Sequence, residues 1–169
     1  MSETVKNVQA ACLGESQAYR KYLAFAKIAD REGYSQIARL FRAVATAEQI
    51  HACTHMDAMQ VQDVGSTKEN LKNSIEGEFY EISHMYPAYI EQADKDGMKE
   101  ASRSFSWALE TEKIHERLYK DALKSIEAGT DLPAKNFYIC DVCGYTAEEE
   151  APEKCPICGA VKEKFSKIE

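Results

Sequence analysis

The sequence predicts an all-α four-helix bundle carrying a small C-terminal four-cysteine β module. Three features point there. Residues 4 to about 128 are dominated by Ala, Glu, Lys, Leu, Gln and Arg, with Gly and Pro scarce, a helix-forming composition. Apolar side chains recur through that stretch at helical spacing. Cys140, Cys143, Cys155 and Cys158 then crowd into the last 30 residues, where turn residues replace the helical period. A chain of 169 residues suffices for one good core and such an appendage.

Local breaks delimit the helices. Gly33 ends the first, after Asp30-Arg31-Glu32. Val64-Gly65-Ser66-Thr67 separates the second from the third, with Ser66 or Thr67 as N-cap and Glu69 close behind. Asp96-Gly97 separates the third from the fourth, so each helix is about 30 residues long. Pro87 falls inside the third, where its missing N–H is expected to kink or loosen the helix near Tyr86. Residues 1–130 thus read as the bundle, 131–136 as a linker with Pro133, and 137–169 as the cysteine module. Cys12 and Cys53 stand alone in helical sequence and are expected to be plain buried side chains.

Each apolar stripe carries a carboxylate near its middle: Glu15 between Cys12 and Tyr19, Glu48 after Val44, Glu78 between Ile75 and Ile82, and Glu112 after Ala108. An unpaired buried carboxylate costs roughly several kcal/mol, so four on facing stripes need a shared partner, and a metal pair supplies it. Glu48-x-x-His51 and Glu112-x-x-His115 place a carboxylate and an imidazole on one helix face. One Glu from each of two helices plus Glu-x-x-His from the other two is the ferritin-like di-metal pattern. The pattern also repeats internally. Glu15 to Glu78 is 63 residues, while Glu48 to Glu112 and His51 to His115 are each 64. Glu81, one turn beyond Glu78, is a seventh candidate, and the resulting oxygen-rich set suits iron or manganese rather than copper. His55 and His84 are expected to be bystanders, although His55 follows His51 by one turn and could support it from behind.

Cys140-Asp-Val-Cys143-Gly and Cys155-Pro-Ile-Cys158-Gly are two knuckles that supply four thiolates for a tetrahedral site. Gly144 and Gly159 free the backbone to turn its amides toward sulfur. The spacing does not separate iron from structural zinc. A net charge of -7 excludes a basic stripe for nucleic acid. No apolar run approaches a membrane span, and the polar segment Met1 to Ala10 lacks a signal-peptide core, so a cytoplasmic protein is expected.

The ligand order Glu15, Glu48-x-x-His51, Glu78-Phe-Tyr-Glu81, Glu112-x-x-His115, followed by two C-x-x-C-G knuckles, resembles the rubrerythrins over essentially the whole chain. The link from Glu48 to Glu78, 30 residues, is short beside rubrerythrins with a longer connection. The resemblance implies two iron ions, oxo- or hydroxo-bridged, plus one iron in the four-cysteine site. It implies that Glu48 and Glu112 bridge the irons, that Glu15 and Glu81 serve the first, and that Glu78 and His115 serve the second. His51 resembles the histidine that takes the first iron on reduction as Glu81 lets go, and Tyr22 and Tyr86 resemble tyrosines that hydrogen bond to ligand carboxylates. The implied activity is reduction of hydrogen peroxide to water, with electrons from NAD(P)H through a separate rubredoxin or rubredoxin reductase. No G-x-G-x-x-G occurs, so the nicotinamide is not expected to bind here. Iron storage and a zinc-stabilised partner-binding module are the competing functions.

Chain length adds one expectation. The second and third helices of a ferritin-like bundle run parallel, so a single chain must cross back along the bundle. The 30 residues from Glu48 to Glu78 fall short of the roughly 40 this needs. A domain-swapped homodimer hinged at Val64 to Thr67 is therefore expected.

Overall fold

The computed structural model describes residues 2–58 and 64–169. Helix α1 is Glu3–Arg31, α2 Ser35–Ala58, α3 Thr67–Tyr80, α4 Tyr86–Lys95 and α5 Lys99–Glu127. A π-helical segment, Glu81–Met85, joins α3 to α4, so the predicted third helix is one element with a widened turn inside it. The second was expected to run about 14 residues past Glu48, a stretch that extends outside the described residues. The chain divides into two compact units, Met1–Val64 and Gly65–Glu169. Among the described residues no helix is long and apolar enough to cross a membrane.

In the first unit α1 and α2 pack through alanines. Ala26 and Ala29 of α1 and Ala38, Ala45 and Ala52 of α2 are buried. The α2 alanines fall every seven residues, giving a continuous seam of small side chains on one helix face. Cys12 is half-buried and directs its Sγ to the Ala52 carbonyl at 3.6 Å. Cys53, expected to be buried, is exposed. It directly follows Ala52, and the turn of about 100° per residue carries it off the alanine seam.

The two tight connections are alike. Gly33 and Gly97 adopt φ of 86° and 68°, left-handed values that glycine tolerates best. The amides of Tyr34 and Met98 then bond to the carbonyls of Ala29 and Ala93 at 2.8 and 2.9 Å. The 64-residue repeat of the Glu-x-x-His pairs is thus a repeat of the backbone as well.

In the second unit Ser66 caps α3 in a complete capping box with Glu69, an arrangement worth about 1 kcal/mol. Pro87 lies just after the π turn and fits it. A proline ring clashes with the carbonyl four residues back and offers no N–H to it. Here the Tyr86 amide instead reaches Glu81 O, five residues back, and Pro87 sits in the first turn of the α4 that follows. The predicted disturbance near Tyr86 thus takes the form of an inserted turn, and Glu81 opens it.

The C-terminal strands β1 (Phe137–Cys140), β2 (Thr146–Glu148) and β3 (Phe165–Ile168) form an antiparallel sheet in the order β2-β1-β3. It belongs to the same unit as α5 and is tied to it. Thr111 Oγ1 donates to Trp107 O at 2.8 Å and lies 3.3 Å from Cys143 O. Arg117 donates to Glu148 at 2.7 Å, and Lys135 donates to the other oxygen of that carboxylate. Lys135 and Arg117 together hold the Glu148 carboxyl below its usual range.

Candidate metal centres

Three clusters among the described residues bring potential ligand atoms within 4.8 Å of one another: Glu15 with Glu48 and His51, Glu78 with Glu112 and His115, and the four C-terminal cysteines. The first lies in the first unit and the other two in the second.

The two carboxylate–histidine clusters are built the same way. In α2, His51 Nδ1 lies 2.8 Å from Glu48 Oε2; in α5, His115 Nδ1 lies 2.6 Å from Glu112 Oε2. The i, i+3 spacing produces both contacts. Glu15 from α1 completes one cluster and Glu78 from α3 the other. Glu81 is not part of the triad but couples electrostatically to Glu112 and His115. Tyr86 follows the π turn near Glu81, Glu112 and Glu78, and burial with these charges raises its pKa. Tyr22 packs its ring 6.0 Å from Phe25 and 6.3 Å from Phe41. His84 stacks on Tyr80 at 5.6 Å and belongs to none of the three clusters.

Negative charge is crowded in the second cluster. Burial, then the charge and hydrogen bond of Glu112, push Glu78 up to about 7. Two carboxylates this close share a proton when no cation is present. The hydrogen bond that His115 donates to the Glu112 carboxylate raises the His115 pKa against the opposing effect of burial. A carboxyl whose folded pKa exceeds its unfolded value binds protons more tightly when folded. The Glu78 contribution is therefore fully present below about 4.5 and is lost as pH rises through about 7. Metal-free protein is expected to unfold at lower temperature at pH 7.5 than at pH 5, and Glu78→Gln to flatten that difference. Thermal unfolding after chelation checks this, and an unchanged slope in Glu78→Gln would refute it.

The thiolate cluster fits a tetrahedral ion. Cys140 and Cys158 Sγ are 3.6 Å apart, and Cys143 and Cys155 Sγ are 3.5 Å apart. Bonds of about 2.3 Å in a tetrahedron place sulfurs about 3.8 Å apart. The knuckles are near copies: Gly144 N reaches Cys140 O and Gly159 N reaches Cys155 O, both at 2.9 Å, with φ of 82° and 76° at the glycines. Burial disfavours the Cys155 thiolate, but amides of Cys158 and Ile157 outweigh it and its pKa falls. Burial dominates at Cys143 and pushes that thiol up, although the Tyr145 amide opposes it.

Sequence reasoning did not single out Thr111, Thr146, Arg117 or Glu148. His115 Nε2 lies 2.9 Å from Thr146 Oγ1, so β2 reaches a residue of the carboxylate cluster directly. These contacts join residues 31 or 32 apart, beyond the reach of helical periodicity.

Long helices with paired Glu-x-x-His clusters and an appended four-thiolate module define a ferritin-like di-metal protein with a rubredoxin-like domain. The Rubrerythrin family model matches residues 6–123, and that for the rubrerythrin rubredoxin-like domain matches 138–166. The chain belongs to the rubrerythrin family, whose members are generally oxidoreductases. It is 41% identical to Rubrerythrin-2 of Clostridium acetobutylicum over 175 residues, covering 96% of this chain and 95% of that protein. It is 38% identical to nigerythrin of Nitratidesulfovibrio vulgaris, covering 98% and 87%. A solved structure of fully reduced, all-ferrous nigerythrin matches with a TM-score of 0.57 and 37% identity, covering 99% of this chain and 88% of that one.

Proposed function

We propose that this protein is a hydrogen peroxide reductase that works at a di-iron site and draws electrons through the four-cysteine iron. The observation that carries the reading is the arrangement of the second unit, where the four cysteines and the Glu78, Glu112 and His115 cluster share one compact body. Storage of iron needs no such neighbour. Iron suits both donor sets, and solved nigerythrin is described as all ferrous.

Two irons in the carboxylate site and one among the thiolates would supply the one-electron steps that peroxide reduction needs. In this reading Glu15, Glu48, Glu78, Glu81, Glu112 and His115 would hold the two ions, Glu48 and Glu112 shared between them, Glu15 and Glu81 serving one and Glu78 and His115 the other. His51 and Glu81 would exchange as ligands of the first ion, since an anionic carboxylate balances the higher charge of an oxidised ion and a neutral imidazole suits a reduced one. Tyr22 and Tyr86 would donate hydrogen bonds to the ligand carboxylates in the metal-loaded site. The donor is NAD(P)H through a separate rubredoxin or rubredoxin reductase, and the site of action is the cytoplasm.

His51→Ala is expected to lower ferrous affinity by about 10-fold or more while changing ferric loading little. Metal titration in both oxidation states measures this, and equal losses in both would contradict the exchange. The function itself is tested by metal analysis and peroxide turnover of iron-loaded protein with a rubredoxin and its reductase. Zinc in the thiolate site, or ferroxidation without peroxide turnover, would overturn it.

We further propose a domain-swapped homodimer. Nine Cα steps separate Ala58 from Thr67 and reach about 32 Å at most. Ala58 lies about 15 Å beyond Glu48 and Thr67 about 16 Å before Glu78 along their helices. An unswapped bundle must cover both lengths and also step sideways by about 10 Å, for roughly 33 Å in all, at the limit of a fully extended chain. Exposed Leu13, Ile37, Leu40 and Ile50 leave the α1–α2 hairpin with apolar surface for a partner bundle half. Glu15, Glu48 and His51 of one copy would then meet Glu78, Glu81, Glu112 and His115 of the other.

A further inference from the structure

His115 has a distinct partner at each ring nitrogen. Nδ1 faces Glu112 Oε2 at 2.6 Å, inside the acidic cluster, and Nε2 faces Thr146 Oγ1 at 2.9 Å, on the four-cysteine module. An imidazole binds a cation through a deprotonated nitrogen, so a neutral ring that offers Nδ1 carries its proton on Nε2. That N–H needs an acceptor, and the Thr146 hydroxyl oxygen stands at the right distance. Threonine can accept there and still donate, and Gly144 O lies 3.4 Å from the same oxygen.

With a cation in place of the proton at Nδ1, a directional chain would follow: His115 Nε2–H to Thr146 Oγ1, and Thr146 Oγ1–H to Gly144 O. Thr146 is buried, and its hydroxyl is the side-chain group within hydrogen-bond distance of Nε2. Gly144 directly follows Cys143, with a left-handed φ of 82°, and its amide is tied to Cys140 O at 2.9 Å. Buried Thr111 braces the same knuckle from α5, its hydroxyl lying between Trp107 O and Cys143 O. Thr111 and His115 are four residues apart, hence on one face of α5.

We propose that Thr146 is a positioning residue for the carboxylate metal site: it fixes His115 as the Nε2–H tautomer with Nδ1 turned to the metal. The four-cysteine module, in the same chain, thereby completes the surroundings of a ligand on α5. This rests on the di-metal reading of Glu78, Glu112 and His115, but not on the peroxidase reading. Supporting hydrogen bonds of this kind typically change metal affinity by about 10- to 100-fold.

The test uses the full chain. Metal-free protein is titrated with cobalt(II) against a competing chelator, following the carboxylate-site and tetrathiolate absorptions separately. Thr146→Val is expected to weaken the carboxylate site at least about 10-fold while the tetrathiolate absorption stays unchanged, and Thr146→Ser to restore affinity. Wild-type affinity in Thr146→Val, or failure of serine to rescue, would overturn the proposal. A second measurement does not depend on any variant folding. In zinc-loaded wild type, nitrogen NMR is expected to show His115 bound through Nδ1 with a slowly exchanging proton on Nε2. Zinc bound at Nε2 would overturn it. A wild type that binds two metals tightly without reducing peroxide would defeat the peroxidase reading and leave this one standing.

Discussion

Serine at Cys140 or Cys158 is expected to abolish peroxide reduction driven by an external donor, while the chemically reduced carboxylate site still consumes peroxide. The four sulfurs lie at distances suited to one tetrahedral ion, and loss of one thiolate opens that site to solvent. Catalysis then stops for want of electrons, because the Glu and His ligands are untouched. A stopped-flow comparison separates the two rates: steady-state turnover with a rubredoxin and reductase, and single-turnover oxidation of dithionite-reduced protein. Steady turnover that survives loss of the thiolate-bound iron would end the relay account. A loss of single turnover as large as that of steady turnover would show that the lesion acts on the bundle instead.

A purified heterodimer of one subunit carrying Glu15→Ala and one carrying His115→Ala is expected to regain about half the wild-type di-iron capacity. In a swapped dimer one site collects both lesions and the other collects neither. In an unswapped dimer each site keeps one lesion, and no intact site forms. The two residues serve because they fall in different units of the chain, Met1–Val64 and Gly65–Glu169. Each homodimer is the inactive control. Iron content and the ferric carboxylate absorption of the heterodimer read the result, and a heterodimer with no recovered site would exclude the swap.

What the sequence revealed, it revealed through local spacing. Glu48 with His51 and Glu112 with His115 are neighbours because three residues make nearly one helical turn, and the structure brings each pair within hydrogen-bond distance. Gly33 and Gly97 ended their helices for a backbone reason visible in one residue. Ser66 and Glu69 formed the capping box their spacing suggests. The π segment was half legible: Pro87 announced a disturbance, but whether a helix bends or inserts a residue depends on what packs around it. Cys53 misled because cysteine is usually buried, while its place one residue beyond Ala52 decides its side of α2. Thr146 and Glu148 were silent, since a short strand carries no pattern that names a partner on a helix 31 residues earlier.

The proposed function depends on electrons passing, within one chain, from a thiolate-bound iron to a peroxide-reducing di-iron site. An anaerobic peroxide titration of fully reduced, iron-loaded protein tests it most directly. Three ferrous ions hold three electrons and each peroxide takes two, so about one and a half peroxides per chain are expected at the end point. The red ferric tetrathiolate absorption should appear in full by then, and two waters should form per peroxide. An end point of one peroxide per chain, with the tetrathiolate iron still reduced, would contradict the coupling.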